Sequence, residues 1–182
     1  MDARNKITVI LGRKGTGKTT LAKQRAASVS RLFILDNLAE YREGLIFETF
    51  RDLEHYFLLE GERFRCICRF RTEEDQEALF DFIWTVGRCT LLAEECDWYA
   101  PSDKGASAAF LNLVKYGRHQ EIDIIAVSRR PAEISKMLTS QADELVSFRQ
   151  TEERDLDYLA HYGFKGEELQ HLPDRQYVVV YN

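Results

Sequence analysis

The sequence is poor in the features that mark linkers, membrane spans and secretion. It has three prolines in 182 residues and no Pro/Gly/Ser-rich linker, internal repeat or low-complexity segment. No apolar run approaches membrane-spanning length, and the first six residues lack the apolar core of a signal peptide. We therefore expect one folded domain over residues 1–182, with no membrane segment of its own, in the cytoplasm.

The cysteine spacing and the net charge argue against a zinc-finger protein and against a protein that coats nucleic acid. The four cysteines lie on or beside apolar runs without zinc-finger spacing, and the four histidines complete no ligand pattern, which predicts reduced, mostly buried thiols. Lys and Arg number 25 against 30 Asp and Glu, so the net charge is −5. A protein that coats nucleic acid normally carries a basic excess. Only a local contact by a few basic side chains is compatible with this balance.

A glycine-rich segment, Gly12–Thr19, matches G-x-x-x-x-G-K-[ST]. It follows the apolar run Ile7–Leu11 and precedes a helix-like run, the context that separates a phosphate-binding loop from an ordinary glycine-rich turn. Loop N–H groups and the helix N-terminus cradle phosphates in such a loop, Lys18 reaches the β- and γ-phosphates, and the Thr19 hydroxyl contacts Mg²⁺. The candidate ATP-binding residues are Gly12, Lys14, Gly15, Thr16, Gly17, Lys18, Thr19 and Thr20.

Strand-like and helix-like runs alternate along the whole chain. The predicted strands are Ile7–Leu11, Leu32–Asp36, Leu45–Glu48, Phe64–Phe70, Thr90–Glu94, Ile122–Ser128, Glu144–Phe148 and Gln176–Tyr181. The predicted helices are Lys18–Val29, Phe50–Leu59, Glu73–Val86, Ala106–Tyr116, Pro131–Leu138 and Glu152–Tyr162. Continuously apolar strands favour burial on both faces, so the pattern predicts a doubly wound α/β domain with a mostly parallel sheet. Ligands bind beyond the carboxyl ends of such strands.

Two adjacent carboxylates end the apolar strand at Thr90–Glu94. Neighbouring side chains on a strand point to opposite sides. We therefore assign Glu94 to Mg²⁺ and Glu95 to the water that attacks the nucleotide, the two functions that hydrolysis requires. The alternative is a solvated strand end with two surface acids.

Four motifs in order resemble HerA/FtsK-type P-loop ATPases, over about residues 7 to 148. Besides the loop, they are the strand ending in Asp36 with Glu40-Tyr41 after it, the stretch Leu91–Pro101, and the helix end at Tyr116–His119 leading into Ile122–Ile134. The resemblance implies a three-layer RecA/ASCE-like P-loop NTPase fold and ATP hydrolysis with Mg²⁺.

Among these ATPases, the chain is similar to the minimal genome-packaging ATPases of tailless membrane-containing viruses. The resemblance then implies a homo-oligomeric ring, a hexamer or pentamer, that moves double-stranded DNA. A procapsid or membrane-associated protein partner and a place in the host cytoplasm or the virion belong to the same expectation.

The chain departs from the family at two positions. The family's Asp at the strand end is Glu94 here, one methylene longer, and its polar sensor Gln is Arg129. An arginine brings a fixed charge and five donors. Three roles remain open for Arg129: stabilising transition-state charge in its own subunit, contacting DNA, or marking reduced hydrolysis.

Other basic residues have roles implied by the resemblance. Arg118 matches the Gly-Arg helix end and would act in trans as an arginine finger; the alternative is a helix C-terminal arginine interacting with the macrodipole. Arg149 is a weaker finger candidate. The candidate DNA contacts are Lys104, Arg129, Arg130 and Lys136.

A period-two stripe runs through Arg63–Arg71. The arginines share one face and the aromatics the other, so we favour a solvated basic face over a single-strand-binding surface.

Two other functions compete with the motor. Glu94 and Arg129 are compatible with an ATP-binding assembly or regulatory protein of weak hydrolysis, which would resemble the zonula-occludens-toxin-like phage assembly proteins. A small nucleotide kinase fits the length and the loop but not the two polar strand ends.

Overall fold

A computed structural model describes residues 6–57, 62–102 and 105–182. The strands are β1 Ile7–Leu11, β2 Arg31–Leu35, β3 Leu45–Phe47, β4 Phe64–Cys68, β5 Cys89–Ala93, β6 Ile122–Ser128, β7 Glu144–Ser147 and β8 Val178–Tyr181. They form one sheet in the order β3-β4-β2-β5-β6-β1-β7-β8. All neighbours are parallel except β7 and β8, which pair antiparallel.

The α-helices connect these strands. They are α1 Lys18–Ala26, α2 Phe50–Phe57, α3 Glu73–Val86, α4 Ala108–Tyr116, α5 Lys136–Gln141, α6 Glu153–Ala160 and α7 Gly166–His171, with 3₁₀ turns at Cys96–Trp98, Gly117–Gln120 and Pro131–Glu133. Within the described ranges, none of these helices has the length and apolar character needed to cross a bilayer.

Alternate residues of β1, β2 and β4 to β7 enter two apolar layers, whereas the edge strand β3 leaves Leu45 and Ile46 exposed. Val9 and Leu11 pack on one face with side chains of α2 through α7, whereas Ile10 packs on the other face with α1. The central strands are therefore buried on both faces, as their continuous apolar character requires. The predicted doubly wound α/β fold, a mostly parallel sheet between helical layers, is confirmed.

Parallel pairing brings the residues after the seven strands β1 to β7 to one edge of the sheet. β6 lies between β1 and β5, so the loop after β1 is two strand spacings, about 10 Å, from the end of β5. Because β8 runs antiparallel, the residues before it return to the same edge. This carboxyl edge holds the glycine-rich loop and both adjacent glutamates.

One predicted helix is wrong as a single element. The segment 131–138 splits into the 3₁₀ turn and α5, because Ile134 is extended and bridges to Pro101. Ser135 then caps α5 by accepting from the N–H of Met137. The short helix α7 had no predicted counterpart, since Leu169 is its one buried residue and leaves little periodic pattern. The last two residues of the predicted helix Phe50–Leu59 lie outside the described residues.

The opposite, amino edge contains a buried ion cluster. The Glu144 side chain is 1% exposed and accepts from both terminal nitrogens of Arg25 at 2.7 and 2.6 Å. Lys6 lies 2.6 Å from the same carboxylate. Burial acts to raise the pKa of Glu144, but the bonds from Arg25 and Lys6 outweigh it and hold this pKa below its usual value.

We predict that Arg25→Met lowers the free energy of unfolding by about 2–3 kcal/mol, because it leaves a buried carboxylate short of partners. Urea denaturation at pH 7 measures the change. Arg154→Met, at an exposed site, is the control and is expected to change it by less than about 0.5 kcal/mol. Equal losses in the two variants would contradict the role of the cluster.

Candidate active site

The glycine-rich loop lies where the sequence predicts, between β1 and α1. Gly12 follows Leu11 directly, and α1 begins at Lys18. The N–H and the hydroxyl of Thr16 both donate to the carbonyl of Arg13, at 3.4 and 2.8 Å. The loop therefore closes on itself just before the helix begins.

Two glycines are required by close packing around the loop. Gly12 has φ +151°, and a Cβ there would lie 2.6 Å from the Cβ of Phe148. Gly17 has φ +112°, with Phe148 on one side and Arg175 on the other, both within 3.5 Å of a Cβ. The N–H of Arg175 donates to the carbonyl of Thr16 at 3.0 Å. The loop is thus held between the end of β7 and the turn before β8.

Lys18 is buried beneath this loop. Its Nζ donates to the carbonyl of Arg13 at 3.0 Å. Burial lowers the pKa of the ammonium group, an effect that the charges of Glu95 and Glu94 oppose. The ammonium group is therefore poorly solvated, and its acceptor is a neutral carbonyl. A charged phosphate oxygen would be a stronger acceptor and can take the place of this carbonyl.

Glu94 follows the last residue of β5 and is 5% exposed. Its N–H donates to the carbonyl of Leu35, so the backbone is still in register with β2. The hydroxyl of Tyr41 donates to its Oε1 at 2.6 Å. Burial raises the pKa of Glu94 to about 7, although the bond from Tyr41 acts in the opposite direction.

Glu95 leaves the strand through a left-handed turn. Its φ is +50°, and the 3₁₀ turn Cys96–Trp98 follows. Its Oε1 accepts from Arg129 Nη2 at 2.7 Å and from Nε at 3.2 Å. The two glutamates do face different partners, but through this turn and not through the strand alternation that we expected.

The end of β6 is tied to the same turn. The Ser128 hydroxyl donates to Asp97 at 2.9 Å, and the N–H of Arg130 donates to the Ser128 oxygen at 3.3 Å. Arg129 lies between these anchored residues. A displacement of Arg129 would therefore act directly on the turn that carries Glu95.

Arg118 lies at the other end of β6. It is exposed in the 3₁₀ turn that precedes Ile122, whereas the site lies beyond Ser128. Seven strand residues separate the two edges by roughly 20 Å. Within its own chain Arg118 does not meet the glycine-rich loop.

The remaining basic candidates are dispersed. Arg149 pairs with Asp174 at 2.9 Å beside the loop. Arg130 bonds the buried carboxylate of Asp155 at 2.7 Å. Lys136 is exposed at the start of α5, and Lys104 lies outside the described residues.

The basic stripe is only in part the solvated face that we expected, since Arg63 and Arg71 are exposed but Arg65 and Arg69 are not. Arg65 is partly buried and donates to the carbonyl of Ala26 at 2.7 Å, and Arg69 bonds to Asp36 at the carboxyl edge. The aromatic face, with Phe64 and Phe70, is in the core as predicted. Arg65 and Arg69 connect elements of the fold.

Sequence reasoning missed two residues that shape the site, Tyr41 and Arg69. Tyr41 entered only as part of the Glu-Tyr resemblance, and Arg69 only as a member of the stripe. The signal that could have found them is position, since both follow strands whose carboxyl ends meet beside β5.

The residues present fit a magnesium-bound nucleoside triphosphate. At Gly15, in the middle of the loop, a Cβ would meet no heavy atom within 4 Å, so the loop is open to a ligand there. Thr19 and Glu94 offer the hard oxygen ligands that Mg²⁺ prefers. The described residues contain no group of three or more His, Cys, Asp or Glu side chains able to cage a metal. The ion would thus be held partly by phosphate oxygens, its usual mode in nucleotide sites.

Strand, glycine-rich loop and helix, with a buried cation and a carboxylate two strands away, define a P-loop NTPase. Residues 8–150 match the family described as ATPase family associated with various cellular activities (AAA). Because this match covers more than half of the chain, the chain belongs to that family and is an ATPase. No curated protein sequence matches it.

Solved structures of three proteins share the fold. The genome packaging NTPase B204 of Sulfolobus turreted icosahedral virus 2, solved with ATP-gammaS, has a TM-score of 0.79 and 19% identity over 100% of this chain and 93% of that one. VirB4 of Thermoanaerobacter pseudethanolicus has a TM-score of 0.66 and 11% identity over 100% and 90%. The N-terminal domain of the Neisseria meningitidis zonular occludens toxin has a TM-score of 0.53 and 14% identity over 81% and 78%. At these identities the similarity confirms the predicted fold alone.

We predict that Glu94→Gln stabilises the metal-free protein by about 1–3 kcal/mol at pH 8, because it removes a buried charge and keeps an acceptor for Tyr41. The folded pKa of about 7 lies above the unfolded value of about 4.3. Between these values the folded chain binds more protons, so wild-type stability falls as pH rises, and the advantage of the variant grows.

Urea denaturation in EDTA from pH 5 to pH 8 measures this difference. Glu95→Gln is the matched control; it breaks an ion pair and should bring no gain at any of these pH values. A Glu94→Gln protein that is less stable than wild type at pH 8 would contradict the prediction.

Proposed function

We propose that residues 1–182 form a single ATPase domain that acts as a ring-forming motor on double-stranded DNA. The observation that carries this proposal is the division of the hydrolytic residues between the two edges of the sheet. The loop and both glutamates lie at the carboxyl edge, whereas Arg118 is exposed at the amino edge. Only a neighbouring copy, packed head to tail, would bring Arg118 to a loop, and such interfaces form a ring when the rotation between copies closes.

Each site residue has a proposed role in this motor. Main-chain N–H groups of the loop, including those of Lys14, Gly15 and Thr20, surround the phosphates, and Lys18 bonds the β- and γ-phosphates. Thr19 and Glu94 hold Mg²⁺, which neutralises phosphate charge when bound. Glu95 orients the attacking water, and Arg118 of a neighbour stabilises the transition state.

Arg129 pairs with Glu95 when no nucleotide is bound and bonds the γ-phosphate when ATP is bound. The observed ion pair supports the first of these roles. This pair occupies the carboxylate that must orient water. An incoming γ-phosphate offers the guanidinium a more highly charged acceptor. Arg129 then moves to the phosphate and leaves Glu95 free, so that hydrolysis begins only on a triphosphate.

The fold shared with a genome packaging NTPase supports DNA as the substrate. B204 is a genome packaging NTPase by name, and this chain covers nearly all of its length. The net charge of −5 limits DNA contact to a few residues. Of the candidates with described positions, Lys136 is exposed, whereas Arg129 and Arg130 are engaged with carboxylates.

The Glu95–Arg129 pair also supports a second candidate, an ATP-binding assembly protein with weak hydrolysis. If Arg129 never leaves Glu95, nucleotide binds but turns over slowly. The fold shared with the zonular occludens toxin domain fits this candidate. Tight ATP binding, little turnover and a protein partner would favour it over the motor.

We predict that double-stranded DNA stimulates ATP turnover in oligomeric fractions of the protein. Turnover is measured with and without DNA on fractions whose mass is known from light scattering. Lys18→Ala, which removes the buried cation of the loop, should abolish turnover in both conditions. A pure oligomer that hydrolyses ATP equally with and without DNA would contradict the motor.

We also predict that Arg118→Ala and Glu95→Gln each reduce turnover by about 10³-fold or more, while ATP binding stays near normal. Co-expressed as mixed rings, they should recover about a quarter of wild-type turnover, since one interface in four pairs an intact Glu95 with an intact Arg118. Mixed rings as inactive as either variant would show that Arg118 does not act in trans.

A further inference from the structure

Tyr41 makes a contact that the proposed mechanism leaves without a role. It is 4% exposed, and its hydroxyl lies 2.6 Å from Oε1 of Glu94. Glu94 is itself 5% exposed, so water does not compete freely for this bond. A phenol donor on a carboxylate is a strong, directional hydrogen bond.

The backbone around Tyr41 is held by a buried carboxylate. Asp36, directly after β2, accepts from the N–H of Glu40 at 2.8 Å and from the N–H of Tyr41 at 3.1 Å. Arg69, directly after β4, bonds the same carboxylate at 3.0 and 3.1 Å and the carbonyl of Tyr41 at 2.6 Å. Tyr41 is thus fixed from the ends of two strands.

The ring of Tyr41 is fixed from a third side by α1. The Nζ of Lys23 lies 4.8 Å from the ring centroid and donates to the carbonyl of Glu40 at 2.6 Å. Because α1 begins at Lys18 of the glycine-rich loop, Tyr41 connects the phosphate-binding helix with the glutamate two strands away.

A glutamate at this position needs such support more than an aspartate would. Its extra methylene adds a rotatable bond and moves the carboxylate farther from the strand end. A bond to Oε1 selects one rotamer and leaves Oε2 for a ligand. Hydrogen bonds of this kind orient the residues that bind a metal and are worth 10- to 100-fold in affinity or activity.

We infer that Tyr41 is a positioning residue, which holds the Glu94 carboxylate in the orientation that receives magnesium with the bound nucleotide. This inference rests on the magnesium role proposed for Glu94. Asp36 and Arg69 support it by fixing the tyrosine backbone.

Tyr41→Phe tests the inference because it removes one oxygen and keeps the ring. We expect the Mg²⁺ concentration for half-maximal turnover to rise about tenfold, and KM for ATP at saturating Mg²⁺ to change less than twofold. The Kd of Mg²⁺ for the complex with a non-hydrolysable ATP analogue, measured by calorimetry, should rise by the same factor. Tyr99→Phe is the matched control: Tyr99 is 2% exposed and its hydroxyl bonds Asn37 instead of Glu94. Equal Mg²⁺ dependence in wild type and Tyr41→Phe would overturn the inference.

A double-mutant cycle with Glu94→Asp separates positioning from general damage. The shorter side chain withdraws from Tyr41, so Tyr41→Phe should change the Mg²⁺ dependence less than twofold in that background. An equal effect in both backgrounds would show a merely structural role. If Tyr41→Phe does not fold, Arg69→Met, which loosens the tyrosine backbone and keeps the hydroxyl, should raise the Mg²⁺ requirement; no rise would overturn the inference.

Glu94→Gln distinguishes a failure of the magnesium role proposed for Glu94 from a failure of the positioning role inferred for Tyr41. If that variant keeps wild-type turnover and Mg²⁺ dependence, the proposed role of Glu94 fails, and the role of Tyr41 fails with it. If Glu94→Gln abolishes turnover while Tyr41→Phe leaves the Mg²⁺ dependence unchanged, the inference about Tyr41 fails alone.

Discussion

Everything at the candidate site depends on the crowding of carboxylates at the carboxyl edge of a parallel sheet. β2 and β5 are neighbours, so Asp36 and Glu94 follow strands one spacing apart, and Glu95 comes next. Burial makes each negative charge costly unless it is bonded. A separate donor serves each one: Arg69 for Asp36, Tyr41 for Glu94 and Arg129 for Glu95. The nucleotide-free site is therefore a set of internal pairs.

We propose that nucleotide binding is an exchange of partners among these pairs. Lys18 bonds the carbonyl of Arg13, which a phosphate oxygen can replace. Arg129 bonds the carboxylate of Glu95, which the more highly charged γ-phosphate can replace. Asp36 contacts no group assigned to the nucleotide, and Tyr41 bonds Oε1 of Glu94 and leaves Oε2 for Mg²⁺, so these contacts can persist throughout. Lys18, Arg129 and Glu95 thus change partners when nucleotide binds. Asp36 and Tyr41 keep theirs, and Glu94 stays bonded to Tyr41.

The sequence predicted what depends on neighbouring residues and missed what depends on distant ones. The loop, β1, β6 and α3 match their predicted bounds, because a local motif or a continuous periodic pattern defines each. The bond between Tyr41 and Glu94 joins residues 53 positions apart, and the bond from Arg69 to Asp36 joins residues 33 apart. No local pattern reports such pairs. The split at Ile134 likewise follows from a bridge to another segment.

A crystal structure of the protein with Mg²⁺ and a non-hydrolysable ATP analogue tests the central claim, the exchange of partners, most directly. The account predicts the phosphates within Gly12–Thr19, Glu94 still bonded to Tyr41 and directed at the ion, and Arg129 on the γ-phosphate with Glu95 released. A structure in which the analogue fills the loop while the Glu95–Arg129 pair stays intact and Glu94 turns away from the ion would contradict it.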